Sequence, residues 1–169
     1  MKKYALSYDA GVYFHQLSEL ADLARAFPEV PIILAHTGAP IHIGPYAGKR
    51  QEVIDEWKRG ISALAACPNA FIKLGGLGLP HCGFGWHQQT RPPGSIELAK
   101  AMSPYFLWCI EQFGVERCMF ESDFPVDKVS YSYDVLWNAF KRICRDFSPV
   151  ERAALLHDSA VRAYRIDSG

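Results

Sequence analysis

Four short apolar runs alternate along the chain with longer amphipathic segments, and few folds can use that order. Residues 4–13, 30–36, 70–74 and 117–121 read as strands, apolar or aromatic and without the in–out alternation of a sheet with one wet face. Runs of this kind suit parallel strands covered on both sides. Between them, Leu17, Leu20, Ala21, Ala24 and Phe27 fall on one helical face, as do Val53, Ile54, Trp57, Ile61, Leu64 and Ala65. Ser103-Pro104 reads as an N-cap with proline at the first helical position, and Gly114 closes that helix. Leu136, Trp137, Phe140, Ile143 and Cys144 mark a helix over residues 133–145. Ser148-Pro149-Val150-Glu151 is a capping box that opens a last helix to about Ala163. The order β-α-β-α-β-α-β-α-α predicts an α/β fold built on a parallel sheet.

Two Gly/Pro-rich stretches break the pattern, residues 37–48 and 75–94, and each follows the C-terminal end of a strand. The second is too long for an idle connection in a compact domain. Its glycines, with Trp86 and His87, predict a lid folded over the strand ends. At 169 residues the chain fits a single domain, with no repeat and no linker. Charge narrows the partners: 18 basic against 18 acidic residues argue against nucleic acid or an anionic membrane surface. No apolar stretch approaches the ~20 residues of a membrane span. The start, Met1-Lys2-Lys3-Tyr4, lacks the apolar core of a signal peptide. Five cysteines without a CxxC pair suit the reduced thiols of a cytoplasmic protein.

Chemistry-bearing residues gather at strand C-termini, where parallel α/β folds place their sites. His36 ends the second run in Leu34-Ala35-His36-Thr37-Gly38, where an imidazole binds a metal, polarises a carbonyl or moves a proton. The bland reading, a hydrogen-bonded histidine closing a strand, is equally good. Asp123 follows the fourth run in Glu121-Ser122-Asp123-Phe124-Pro125 and suits a general base or an oxygen ligand. Its bland counterpart is an Asx turn before proline. Asp127 is close enough to be the working carboxylate instead. Lys73 sits on an otherwise apolar strand, so it needs either a partner or an open polar site. Helix capping or a surface position suits His15 better than ligation. Cys82 and His87 lack a second pair at finger spacing, which excludes a structural zinc site.

The order of these motifs says more than any one of them. Strand-His-x-Gly-x-Pro precedes Asn-x-x-x-Lys-Leu-x-Gly-Leu, which precedes Phe-Gly-x-x-Arg-x-Met-Phe-x-Ser-Asp-x-Pro. This series resembles the C-terminal part of the amidohydrolase-related family of TIM-barrel metal-dependent hydrolases. Within that family the stretches around Gly44-Pro45-Tyr46, Lys73-Leu74-Gly75-Gly76, Cys82-Gly83-Phe84-Gly85-Trp86-His87 and Met119 to Lys128 are similar to the sugar-lactonase and pyrone-dicarboxylate lactonase branch. The resemblance implies strands five to eight of a (β/α)8 barrel, so that residues 1–169 form a single partial domain. It implies a small-molecule lactone, ester or amide substrate cleaved by activated water. His36 would match the strand-six histidine and Asp123 the strand-eight aspartate, the two serving in catalysis and as ligands of a divalent metal, zinc or manganese. Lys73, Trp86, His87 and Asp127 would contact substrate.

The family's His-x-His pair of strand one has no counterpart here. A metal is therefore expected to bind weakly or not at all, since a catalytic site takes about three protein ligands. The inner side of four strands needs a cover, either a second copy or an N-terminal half-barrel. Two other readings stay open: an inactive fragment acting only by association, and a decarboxylase of the same superfamily. His36 and Asp123 are expected within roughly 10 Å of each other, two strand spacings apart.

Overall fold

In the computed structural model, which describes residues 6–166, four parallel strands stand side by side in chain order. They are β1 (Tyr8–Ala10), β2 (Ile32–Leu34), β3 (Ala70–Leu74) and β4 (Cys118–Phe120). Each lies inside a run read as a strand; residues 4 and 5 of the first run fall outside the described residues. Three of the strands are shorter than the runs that contain them. At the C-terminal ends of β2 and β4 the reason is local, because His36, Thr37 and Asp123 turn the backbone to φ of 53°, 55° and 52°. That left-handed geometry cannot continue a ladder.

The sheet has two unlike faces. Ile32, Leu34, Ile72, Leu74 and Phe120 point outward into the main core. They meet Leu17 of α1 (Leu17–Ala26), Trp57 and Leu64 of α2 (Arg50–Ala65), Phe106 of α3 (Ser95–Phe113) and Phe140 of α4 (Tyr133–Ile143). Phe120 stacks on Phe140 with ring centroids 4.4 Å apart. Registers Asp9↔Ile33, Ile33↔Phe71 and Lys73↔Met119 put the alternate residues on the inner face.

Two helical readings need correction. The third helix starts at Ser95, not at Ser103, and Pro104 lies inside it. Leu98 and Met102, six and two residues before Pro104, are fully buried. Burying each is worth about 1.5–3 kcal/mol, which together offsets the roughly 3 kcal/mol of an internal proline. The Gly94 N–H donates to Glu97 Oε2 at 2.8 Å and closes the new start. The last helix is broken into α5 (Pro149–Ala153), a π turn (Ala154–Asp158) and α6 (Ser159–Tyr164). The break carries α6 onto the inner face, where Ala160, Ala163 and Tyr164 cover Ile33, Phe71 and Met119. Ser159 Oγ donates to the Val115 carbonyl at 2.9 Å and Arg162 to the Glu116 carbonyl at 2.7 Å. These bonds hold the cover at the N-terminal end of β4, away from the strand ends that carry His36 and Asp123. Part of the missing opposite wall is thus the chain's own last helix.

Arg117 locks the α2–β3 connection to β4. Its guanidinium donates to the carbonyls of Ala65, Cys67 and Ala70 at 2.9, 2.9 and 3.3 Å, and its Nε to that of Phe113 at 3.0 Å. Charged hydrogen bonds contribute about 1.5–3 kcal/mol each and do not add fully. Arg117→Ala is therefore expected to lower stability by about 3 kcal/mol in urea titration. Arg117→Lys should recover only part, because an ammonium cannot reproduce the fork. A loss below about 1 kcal/mol would mean that water serves those carbonyls equally well.

Candidate active site

The C-terminal ends of β2, β3 and β4 meet at one cluster of polar groups. From β2 comes His36, whose Nδ1 lies 3.7 Å from Asp123 Oδ1 beyond β4, well inside the expected separation. Between them β3 ends in Gly75-Gly76, and the absence of side chains there is a steric requirement. A Cβ on Gly75 would collide with Glu121 Cγ, and one on Gly76, at φ +69°, would stand 2.5 Å from His36 Cβ. Thr37 clamps the same corner: its buried hydroxyl donates to the Gly75 carbonyl at 2.8 Å and accepts the Gly75 N–H at 3.1 Å. Trp57 Nε1 holds the Thr37 carbonyl at 2.8 Å.

Glu121, absent from the expected site, is the nearest partner of His36. Its Oε1 accepts from the His36 backbone N–H at 2.8 Å and lies 2.9 Å from the ring Nδ1. That bond raises the His36 pKa, against a smaller lowering by burial. Asp123 is raised chiefly by burial, with His36 pulling back and Glu121 adding to the rise. Its Oδ2 is buried and accepts no hydrogen bond. After a cis Phe124–Pro125 peptide the chain returns Asp127 beneath Asp123, with the Asp127 N–H on the Asp123 carbonyl at 3.0 Å.

Asp127 is fully buried, and its Oδ2 accepts from the Gly78 N–H at 3.2 Å and from the Tyr131 hydroxyl. Burial pushes its pKa up to about 7 despite those bonds. It faces a backbone and a phenol rather than open space. Lys73, read as a substrate contact, lies on the inner face with Nζ 2.7 Å from Asp9 Oδ2 and 4.0 Å from Glu121 Oε2. Burial alone would lower its pKa, but bonds to Asp9 and Tyr164 leave it raised. Tyr164 Oη donates to the same Asp9 oxygen at 2.7 Å.

The long loop is a fixed wall rather than a free lid. Gly78 is tied to Asp127, and its carbonyl accepts from Ser130 Oγ. Trp86 is buried, stacked on Phe84 at 4.3 Å and edge-on to Tyr131 at 5.8 Å, so it anchors the loop in the core. His87 is exposed beside it. His81 of the same loop has its pKa lowered by burial and by the charge of His36. The cluster thus unites His36, Asp123 and Asp127 with Glu121 and places Lys73 just below, while Trp86 packs on Tyr131, the partner of Asp127, and His87 is exposed. Glu121 had a sequence signal, since it ends the fourth apolar run two residues after Met119 and so falls on that residue's inner face.

Among the described residues no group of three or more His, Cys, Asp or Glu side chains could hold a metal ion. Two side chains of the cluster carry donors of the right chemistry for one, the His36 imidazole and the Asp123 carboxylate, whose Oδ2 has no hydrogen-bond partner.

Comparison with known proteins adds to this geometry. A family profile described as amidohydrolase matches residues 7–166. A Sinorhizobium fredii protein named "Uncharacterized protein y4mH" is 41% identical over 161 residues, 95% of this chain and 48% of its own length. The L-fucono-1,5-lactonase of Burkholderia ambifaria is 30% identical over 171 residues, 99% of this chain and 52% of its own. A crystal structure of an amidohydrolase from Burkholderia multivorans with bound zinc superposes with a TM-score of 0.80 at 25% identity, covering 95% of this chain and 53% of that one. The chain spans about half the length of the curated relatives it matches.

Proposed function

The chain belongs to the amidohydrolase family, its fold being the C-terminal half of a TIM barrel, strands five to eight, and from that premise we propose that it supplies half of the active site of a lactone hydrolase. The observation that carries the reading is Asp123, with a buried, partnerless oxygen and a carboxyl 3.7 Å from His36 at the open ends of the strands. A raised carboxyl pKa suits a group that takes a proton from water near neutral pH. Asp123 is the base and His36 orients the carbonyl or holds a cation beside it. Lys73 and Asp127 support the site from below and behind. A divalent cation such as zinc, held by His36 and Asp123, would polarise the carbonyl and stabilise its developing charge. Two donors fall short of the usual three, so the described residues alone bind it weakly.

The lactone assignment draws on the Burkholderia relative's name, and a sugar lactone is the first substrate to try. Incubating the protein with five- and six-membered aldonolactones, and following acid release with a pH indicator, should show opening of at least one. Release of carbon dioxide from a carboxylate substrate, with no lactone opened, would transfer the site to the decarboxylase reading.

The half-barrel works in association, with a second copy or an N-terminal half-barrel. Among the described residues β1 and β4 each pair on one side only, and unpaired edges invite another strand. The α6 cover reduces the apolar surface that a partner must bury without pairing those edges. Sedimentation of the 169-residue chain should show concentration-dependent association. A monomer at every concentration would show that α6 suffices. Five cysteines, all buried and none in a disulfide, fit the cytoplasm. No helix among the described residues is long and apolar enough to cross a membrane.

A further inference from the structure

Glu121 has no task in the reaction described above, yet no carboxylate in the cluster is held more firmly against a site residue. We propose that Glu121 is a positioning residue that fixes His36 in the tautomer with its proton on Nδ1, so that Nε2 presents a lone pair to the site. The proposal rests on the reading of His36 as a residue that faces the reacting groups.

One oxygen, Oε1, engages both the backbone N–H of His36 at 2.8 Å and its ring Nδ1 at 2.9 Å. A carboxylate oxygen only accepts, so Nδ1 must be the donor. In a neutral ring the other nitrogen then carries no hydrogen. Asp123 does not compete for Nδ1, since 3.7 Å is too long for a hydrogen bond. The double contact also holds the main chain of His36 at its left-handed φ of 53°, so ring and backbone are set together.

The rest of the corner is built around this contact. Gly75 leaves the space that the Glu121 side chain occupies, and Gly76 the space for His36 Cβ. On the far side, Glu121 Oε2 lies 4.0 Å from Lys73 Nζ, which Asp9 holds at 2.7 Å. Tyr164 of α6 bonds to that same Asp9 oxygen. The last helix therefore reaches the site through Asp9, Lys73 and Glu121. A neutral His36 set in this way accepts at Nε2, as a cation ligand or a partner for water, and so orients a carbonyl only through that cation or water. Carboxylates commonly orient ligating imidazoles through the opposite nitrogen.

The test is independent of turnover, so a failure to open lactones leaves it intact. Long-range 1H–15N correlation spectra of the 15N-histidine-labelled chain at pH 9, assigned by the signal lost in His36→Asn, report which nitrogen carries the proton. The expected result is a proton on Nδ1 and a bare Nε2. Glu121→Gln, whose amide oxygen still accepts, should keep that pattern, and Glu121→Ala should move most molecules to the Nε2–H form while the other histidine signals stay in place. A wild-type ring with its proton on Nε2 overturns the proposal even if the alanine variant fails to fold. So does an alanine variant that folds and keeps Nδ1–H throughout.

Discussion

Asp123→Asn should lower kcat for lactone opening by roughly 10²- to 10⁴-fold and leave KM within a few-fold, the loss of one general base. Asparagine is the informative substitution because it tolerates the left-handed backbone that position adopts, φ 52°. It keeps an oxygen near His36 but cannot take a proton from water. Steady-state kinetics with the best aldonolactone, accompanied by a thermal melt to show an intact fold, would measure it. Asp123 is the better base on geometry. It has a free buried oxygen beside His36, whereas Asp127 spends Oδ2 on Gly78 and Tyr131 and lies wholly out of solvent. A folded Asp123→Asn variant that keeps its rate would move the base to Asp127, and an unchanged kcat with a raised KM would make Asp123 a binding group.

Much of the architecture was legible because its signals are local. The four strands, the faces of α1, α2 and α4, and the Ser148 capping box each follow from spacing over a dozen residues. The start of α3 was hidden because Ser103-Pro104 imitates a helix start perfectly well. Only the buried row from Leu98 onward shows that tertiary packing outweighs it. The position of α6 was hidden for a similar reason: the π turn re-aims the final segment, and nothing in its composition announces which face it will cover. In the site, His36 and Asp123 stood out because each ends a strand. Glu121 and Asp9 looked like ordinary strand residues, and their meaning depends on which neighbours the sheet brings alongside. Lys73 carried half of its own answer, since a lysine inside an apolar strand demands a partner, but its partner lies two strands away on β1.

Asp127 should make the fold less stable as pH rises, and Asp127→Asn should abolish that loss. Burial pushes the carboxyl from its ordinary 3.8 up to about 7 in the folded chain. Below pH 3.8 both folded and unfolded chains hold the proton, and the residue adds no pH dependence. Between 3.8 and about 7 the unfolded chain has released its proton and the folded one keeps it, so each rise in pH favours unfolding. Above about 7 the loss is complete, on the order of 4 kcal/mol at 1.36 kcal/mol for each pH unit. The proton belongs on Oδ1, the oxygen without a partner, which leaves Oδ2 free to accept from Gly78 and Tyr131. An asparagine can keep both of those bonds and never ionises. Other groups in the chain also titrate over this range, so the readout is the variant's stability minus that of the wild type, from urea titrations between pH 4 and 8. That difference should grow in the variant's favour by a few kcal/mol across the range and level off above pH 7. Parallel profiles would mean that the folded chain carries Asp127 ionised at neutral pH. A buried anion there would need a cation close by, and Asp127 would then have to be counted among the groups that hold one.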